Sequence, residues 1–417
     1  MLSRTFGALL VAFLAMGQSE PDPQALYKAG YDARVAGDYP AAIRLLSAAI
    51  DSGKLGKNDL ATSYNNRGMA FAATDKADKA VADYGRAIKL VPYYGPAYLN
   101  RGNIYSEQGK YDEAIAEFDM AIKISATYAL AYNSRGAAYY RKGDLDAAMA
   151  DLDATIRLKP DYGNAFWNRA RVAMRKGDRQ QALADFGQAV RFKPNDPEVY
   201  VERGNVRSEA NDNAGAIADY TKAIELDPKV PLGYNQRANG YFAAGDIDKA
   251  LADYDRAIRL APTYPDPVTS RGRIELFHTN RAAAAAADLA TGVRLDPKDI
   301  YAAIWLHIAH SRAGTPDHEE LAANAERLDA GDWPWPIVQL FLGATTADKL
   351  LGAAAATDNR QTQQEQLCEA NFYLGMFRLE KKAPDEAKKL IAIAADKCPA
   401  AMLEKSAAKA ELARLAH

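Results

Sequence analysis

The chain has 417 residues, of which 48% are hydrophobic and 25% are charged. This composition allows a substantial buried core, either in two or three compact domains or in one elongated array. The net charge of −2 does not indicate a basic surface of the kind that binds phosphate backbones, so we expect no nucleic-acid partner.

Residues 1–17 have the layout of a cleavable secretory signal. Arg4 precedes an apolar run at residues 6–16 that is too short to span a bilayer. Ala15 and Gly17 are small residues two positions apart, which predicts cleavage after Gly17. No cysteine follows the run, so we expect an exported chain without a lipid anchor. The alternative is a cytoplasmic protein in which these residues form a packed first helix.

Residues 24–297 repeat one pattern with a period of 34 residues. Each unit has a small residue, an alanine twelve residues later and a large residue four positions after that, and most units close with proline. Seven small residues keep the strict spacing, namely Gly68, Gly102, Gly136, Ala170, Gly204, Ala238 and Gly272. A fixed period of this length predicts an array of one repeated supersecondary unit.

The physical reason for the pattern is a pair of closely packed helices in each unit. Small residues let two antiparallel helices approach, a central glycine ends the first helix, and proline prevents the second from continuing. One such hairpin cannot bury its apolar face, but a stack of hairpins can. The pattern resembles the tetratricopeptide repeat. This resemblance implies an all-α fold, a right-handed superhelical solenoid of antiparallel helix hairpins, with about eight repeats in residues 24–297.

An arginine precedes the small residue in seven successive units, and a carboxylate follows sixteen residues later in six of them. One interpretation is a basic stripe that binds an acidic ligand. The other is a structural ion pair between the two helices of each unit, which the matching carboxylates favour. The arginines are Arg67, Arg101, Arg135, Arg169, Arg203, Arg237 and Arg271.

Asparagines recur on the first helix of the units. The resemblance implies that these positions face the concave groove. An asparagine amide both donates and accepts, so a ladder of amides can pair with the backbone of an extended peptide. The alternative is a solvated polar face that binds only water, and the sequence leaves both open. The candidate groove residues are Asn65, Asn66, Asn100, Asn103, Asn133, Asn168, Asn205, Asn235 and Asn239.

Residues 298–363 read as a helical connector. Two amphipathic stretches at 299–314 and 317–329 predict helices. A Trp-Pro-Trp-Pro segment then forces an extended entry into a short helix. A further short helix precedes a polar stretch, residues 357–366, that is predicted to be a loop.

Motifs that carry chemistry are sparse in this chain. The sequence contains no zinc-protease, nucleophile-elbow, phosphate-loop or dinucleotide motif, so we predict no catalytic residue, no cofactor and no enzyme activity. His307 and His310 lie one helical turn apart, with acidic residues shortly after them, and two imidazoles at this spacing share a helix face. A divalent metal site there is conceivable, but separate surface histidines are favoured.

Residues 364–417 predict a final repeat-like hairpin and a capping helix. Leu374 and Gly375 occupy the leucine–glycine positions of the repeat, and Ala387 follows twelve residues after Gly375. In this register Cys368 begins the first helix and Cys398 ends the second. These two ends of an antiparallel hairpin are neighbours, so we predict a disulfide. A disulfide agrees with export to an oxidising compartment.

The C-terminal part also resembles the NlpI group of bacterial periplasmic lipoproteins, which are repeat scaffolds. The likeness lies in residues 333–343 and 371–375 and in the alanine-rich last helix. It implies a periplasmic adaptor that docks cell-wall hydrolases or a protease. Partners would then be proteins or extended peptide segments, with no nucleic acid and no membrane anchor. The alternative is a cytoplasmic adaptor or co-chaperone, and the sequence does not indicate an oligomeric state.

Overall fold

The computed structural model describes residues 22–328, 331, 333–399 and 402–416. Residues 1–17, on which the export prediction rests, lie outside the described residues. All regular elements of the described residues are α-helices. None of these helices combines the length and the apolar character that crossing a membrane requires. The chain divides into two compact units, with the boundary between Pro194 and Asn195, inside the repeat array.

In the described part of the first unit, ten helices form five hairpins, and short turns join the two helices of each hairpin. The helices are α1 Pro23–Val35, α2 Tyr39–Asp51, α3 Lys57–Ala72, α4 Ala77–Leu90, α5 Gly95–Glu107, α6 Tyr111–Ile124, α7 Ala129–Lys142, α8 Leu145–Leu158, α9 Gly163–Arg175 and α10 Arg179–Phe192. Each hairpin packs on the next one, as the repeat pattern predicts.

The second unit continues with three hairpins, α11 to α16, and then departs from the repeat. These six helices are α11 Pro197–Glu209, α12 Asn213–Leu226, α13 Pro231–Ala243, α14 Ile247–Leu260, α15 Pro265–Phe277 and α16 Ala282–Leu295. The following helices are α17 Ile300–Arg312, α18 His318–Ala325, α19 Trp335–Phe341, α20 Ala347–Ala355, α21 Arg360–Glu380, α22 Pro384–Lys397 and α23 Leu403–Arg414. Helix α23 packs against α15 and α21.

The Gly-Asp dipeptide in the middle of a unit accounts for the tight turn. Gly143 ends α7 with φ 96°, a left-handed conformation that glycine adopts without steric cost. Asp144 then accepts a hydrogen bond from the backbone N–H of Ala147 and caps α8. One dipeptide therefore ends one helix and begins the next.

Close packing within a hairpin depends on the small residue of the repeat. A Cβ added at Gly102 would lie 2.6 Å from the Phe118 ring, and one added at Gly204 would lie 2.6 Å from the Tyr220 ring. Both rings are buried. The large residue of the second helix thus fills the space that the small residue of the first helix leaves, as the sequence predicts.

The start of α21 differs from the prediction. The sequence predicts a loop at residues 357–366 and a helix that begins at Cys368, whereas the helix begins at Arg360 and places Cys368 near its middle. Asn359 caps it by accepting from two backbone N–H groups, and the following Gln- and Glu-rich residues are good helix formers. Cys368 is joined in a disulfide to Cys398, which immediately follows α22, and their Cα atoms lie 5.0 Å apart.

The Trp-Pro-Trp-Pro segment is held by a partly buried carboxylate. Trp333 Nε1–H donates to Glu369 Oε2 at 2.7 Å, and the Tyr301 hydroxyl donates to the same oxygen at 2.8 Å. Burial raises the pKa of Glu369 to about 7, the nearby Glu404 adds to the rise, and the two donors oppose it. Glu369 is therefore protonated in the folded chain at pH values where an unfolded glutamate is ionised.

The raised pKa makes stability depend on pH in a defined direction. Folding takes up a proton at Glu369 between about pH 4.5 and 7, so this contribution to the free energy of unfolding falls as pH rises through that window. We expect Glu369→Gln to remove it. The free energy of unfolding of the variant minus that of wild type, measured by urea unfolding, should increase by about 2–3 kcal/mol from about pH 4.5 to about pH 7. A difference independent of pH would contradict this assignment.

Candidate functional site

Four of the predicted groove asparagines in the first unit pair with one another. Asn100 Nδ2 donates to Asn65 Oδ1 at 2.9 Å, and Asn168 Nδ2 donates to Asn133 Oδ1 at 3.1 Å. Each pair joins the first helices of consecutive hairpins, and Asn65 is only 4% exposed. These amides therefore hold neighbouring hairpins together, and the bonds occupy part of their hydrogen-bonding capacity.

The other two predicted residues of the first unit differ in accessibility. Asn66 is buried, with 4% of its surface exposed. Asn103 is half-buried on α5. The continuous free ladder that the sequence suggests is consequently not formed along this unit, because side-chain pairing and burial take up part of it.

In the second unit the asparagines belong to a hydrogen-bond network with tyrosines and a glutamine. Asn205 Oδ1 accepts from the Tyr220 hydroxyl at 2.9 Å and from Gln236 Nε2 at 2.8 Å. Asn239 Oδ1 accepts from the Tyr254 hydroxyl at 2.5 Å. The network fixes the orientation of these amides and thereby which of their groups remain available.

Asn235 and Asn239 also line a groove of about 900 Å³, here called the second-unit groove. Its apolar surface includes Phe242 and Ile247, and the first residues of α23 close one side. Its polar surface consists mainly of amides and hydroxyls, from Ser208, Asn211, Asn213, Asn235, Gln236, Asn239, Ser270 and Ser406. A concave surface of this size with convergent polar groups is typical of a binding site.

Arg273 on α15 gives the second-unit groove a positive charge. Its guanidinium lies 5.5 Å from the ring centroids of both Phe242 and Trp305. Among the described residues no carboxylate lies within salt-bridge distance of it. Burial lowers the pKa of this guanidinium, and Tyr254 and Glu404 oppose the shift. An arginine stays protonated even so, and Arg273 can therefore donate to an anion.

The other titratable groups of the groove are Asp266 and His278. Burial and the Arg273 charge lower the pKa of His278 to about 4, so this imidazole is neutral at pH 7. The groove therefore combines neutral donors and acceptors with one guanidinium and one carboxylate.

The repeated asparagine pattern does not include two of these groove residues, Arg273 and Gln236. Arg273 stands 34 residues after Asn239 and occupies the same repeat position. Gln236 stands 68 residues after Asn168, two repeat periods further along. The sequence signal for both residues is therefore a side-chain donor of any type at these two repeat positions. The approach of α23 to the groove has no such signal, because it lies outside the repeat.

The repeated arginines form structural ion pairs, and the favoured interpretation is confirmed. All seven bind the carboxylate sixteen or seventeen residues later, with nitrogen–oxygen distances of 2.6–2.7 Å. Arg135 and Arg169 also reach an aspartate of the preceding hairpin, Asp119 at 2.5 Å and Asp153 at 2.6 Å. The arginines thus join helices and hairpins, and they do not form a free basic stripe.

The two histidines one turn apart do not share a site. His307 Nε2 lies 2.9 Å from Glu380 Oε2, whereas His310 Nε2 lies 3.2 Å from Glu320 Oε2. Their spacing puts them on one helix, but different neighbouring helices supply their partners. The imidazole that lies beside His307 is His318, with ring centroids 4.9 Å apart.

Comparison with protein families identifies the repeat. A model described as TPR repeat matches residues 102–143, and models described as tetratricopeptide repeat match 27–95, 84–116, 129–162, 167–231 and 231–264. Together these matches run from residue 27 to residue 264, with a gap only at 163–166, and cover more than half of the chain. They end before the segment that resembles the NlpI group.

Solved structures similar to this chain are repeat proteins of low identity. A tetratricopeptide repeat protein from Parabacteroides merdae is 20% identical over 57% of this chain and 93% of its own, with a TM-score of 0.46. PilF of Pseudomonas aeruginosa is 18% identical over 50% of this chain and 95% of its own, with a TM-score of 0.46. YrrB, described as a TPR protein with an unusual peptide-binding site, is 22% identical over 45% of this chain and 97% of its own, with a TM-score of 0.39. These similarities carry no inference about what the present chain binds.

Proposed function

Because the chain belongs to the tetratricopeptide repeat family, we propose that it is a non-enzymatic scaffold whose second-unit groove holds an extended segment of a partner protein. Proteins of this family bind proteins or peptides. Among the described residues, the second-unit groove fits that role because it is concave, has a volume of about 900 Å³ and is lined with amides.

The Arg273 guanidinium, which has no carboxylate partner among the residues that the structure describes, is the observation that carries the proposal. A charged donor held between two aromatic rings is pre-oriented, so it binds a carboxylate without first giving up another partner. Gln236 and Asn239 would pair with the backbone beside that carboxylate, and Phe242 would contact an apolar side chain. Asn235 is only 3% exposed and donates to Tyr264 and Gln236, so it would hold the groove wall. The preferred ligand is therefore an extended segment with an acidic side chain or a free C-terminal carboxylate.

We further propose that the chain works after export, in the bacterial periplasm. The signal-like layout of residues 1–17 and the disulfide between Cys368 and Cys398 support this location, because disulfides persist in oxidising compartments. The partners would be cell-envelope proteins, with cell-wall hydrolases or a protease as the class that the NlpI resemblance implies. A mature N-terminus at Gln18 in mass spectrometry would agree with export, whereas an intact Met1 in cytosolic protein would contradict it.

Arg273→Gln is expected to weaken capture of partners about tenfold or more, because a charge-assisted hydrogen bond contributes about 1.5–3 kcal/mol. The measurement is crosslinking in intact cells, with quantitative identification of the captured proteins. Arg294→Gln is the matched control, since Arg294 is an exposed arginine of α16 outside the groove.

A second arm separates the groove from other binding surfaces. Peptides derived from a captured partner are synthesised in three forms: with a free C-terminus, with an amidated C-terminus, and with their acidic residues replaced by neutral ones. The affinity of each form is measured for wild type and for Arg273→Gln. Wild type should prefer at least one carboxylate form, and Arg273→Gln should lose that preference. Equal capture by wild type and Arg273→Gln, with unchanged thermal stability, would remove the groove from the proposal.

A further inference from the structure

Three side chains from three helices of the second unit converge. His307 lies on α17, His318 is the first residue of α18, and Glu380 is the last residue of α21. One ligand atom from each lies within 4.8 Å of the other two. This cluster is separate from the second-unit groove, and the proposed function does not use it.

We propose that His307, His318 and Glu380 bind a divalent transition-metal ion, with Zn²⁺ as the preferred ion and one coordination position open to solvent. Two imidazoles and one carboxylate with an exchangeable fourth position form a ligand set that zinc accepts. The ion would fasten the start of α18 to the end of α21.

The separations of the ligand atoms fit such an ion. Metal–ligand bonds of about 2.0–2.1 Å in a tetrahedron place neighbouring ligand atoms about 3.3 Å apart. His307 Nε2 lies 2.9 Å from Glu380 Oε2, and His318 Nε2 lies 3.6 Å from Glu380 Oε1. These two contacts use different oxygens of the Glu380 carboxylate, and one ligand atom from each of the three residues lies within 4.8 Å of the other two. A tetrahedral ion therefore requires the ligand atoms to draw together. His318 has 47% of its side chain exposed and can make the remaining adjustment.

The surroundings of His307 orient its ring for this role. His307 Nδ1 lies 3.3 Å from the backbone oxygen of Asp317, so Nδ1–H can donate to that carbonyl. This tautomer leaves the Nε2 lone pair directed at the Glu380 carboxylate, and two lone pairs 2.9 Å apart require a proton or a cation between them. The Phe341 ring, 5.2 Å from the His307 ring, forms an apolar wall on the buried side.

The three side chains of the cluster differ in solvent exposure, as expected for a metal site with one coordination position open to solvent. The side chains of His307 and Glu380 are 1% and 7% exposed, whereas His318 faces solvent. Lys381 Nζ lies 2.8 Å from Glu380 Oε1, and its side chain is 46% exposed, so an entering ion can displace it into water. Two ligands are thus held in place, and the third closes on the ion from outside.

The test uses the untagged full chain, stripped with chelator and titrated with ZnCl₂ by calorimetry. Wild type should bind one equivalent, and Co²⁺ should give the visible absorption of a tetrahedral site. His318→Ala and Glu380→Gln should weaken binding by at least the roughly 10–100-fold that loss of an outer-sphere partner costs. His310→Ala is the matched control, because His310 faces Glu320, and it should bind as wild type does.

Folding of each variant is checked by circular dichroism, and the exposed position of His318 makes its alanine variant the decisive one. Zn²⁺ should raise the Tm of wild type and of His310→Ala but leave His318→Ala unchanged. Absence of one-equivalent binding to wild type would overturn the proposal. Equal binding by His318→Ala and wild type, or loss of binding in His310→Ala, would overturn it as well.

Discussion

Replacing Arg169 with alanine is expected to lower the free energy of unfolding of the first unit by about 3–5 kcal/mol. Its guanidinium donates to both oxygens of Asp185, from Nε at 2.8 Å and from Nη2 at 2.7 Å, and to Asp153 at 2.6 Å. Asp185 is only 2% exposed. The substitution leaves a buried carboxylate without its cation, which is costlier than losing a surface ion pair.

Two further variants separate the ion pair from general effects of substitution. Arg157→Ala removes an exposed arginine of α8 and should change stability by no more than about 0.5 kcal/mol. The double variant Arg169→Met with Asp185→Leu should recover much of the loss, because no buried charge is left unpaired. Urea unfolding followed by circular dichroism measures all four proteins. Arg169→Ala as stable as Arg157→Ala would show that the pair carries little of the stability.

Removal of the disulfide is expected to lower the free energy of unfolding of the second unit by about 3–4 kcal/mol. Cys368 and Cys398 are 30 residues apart in sequence, and the bridge restricts the unfolded chain by closing this loop. Both cysteines are buried, at 3% and 2% exposure, so a reductant reaches them only when the hairpin opens. The double variant Cys368→Ala with Cys398→Ala is therefore compared with oxidised wild type.

Reduction after denaturation provides the control for the cysteine variants. Wild type that is refolded and kept under reductant should have the same free energy of unfolding as the double alanine variant. Only the small packing contribution of the two sulfur atoms should differ. Thiol titration of denatured, non-reduced protein should find no free thiol. Two titratable thiols in that assay, or equal urea midpoints with and without the bridge, would contradict the prediction.

The 34-residue period predicts the helices, the hairpins and the ion pairs of the repeat array in residues 24–297. Gly102 and Phe118 meet within one hairpin, and Arg169 meets Asp185 sixteen residues later. Such contacts follow from helical periodicity and a short turn, both of which recur in every unit. The start of α21 differs from the prediction because its first residues are polar, as in a loop. The local signals for the helix are the capping residue Asn359 and the good helix formers that follow it.

Contacts between hairpins and beyond the repeat were decided only by tertiary structure. The periodicity places Asn65 and Asn100 on equivalent helices, but it does not show that they bond to each other and not to a peptide. Likewise, His307 meets Glu380, 73 residues away, where no repeat relates the two positions. Helical periodicity determines which side chains share a face of one helix. Which helix faces contact each other depends on how whole helices pack. The packing energy is the sum of many small contacts, and no local sequence pattern records it.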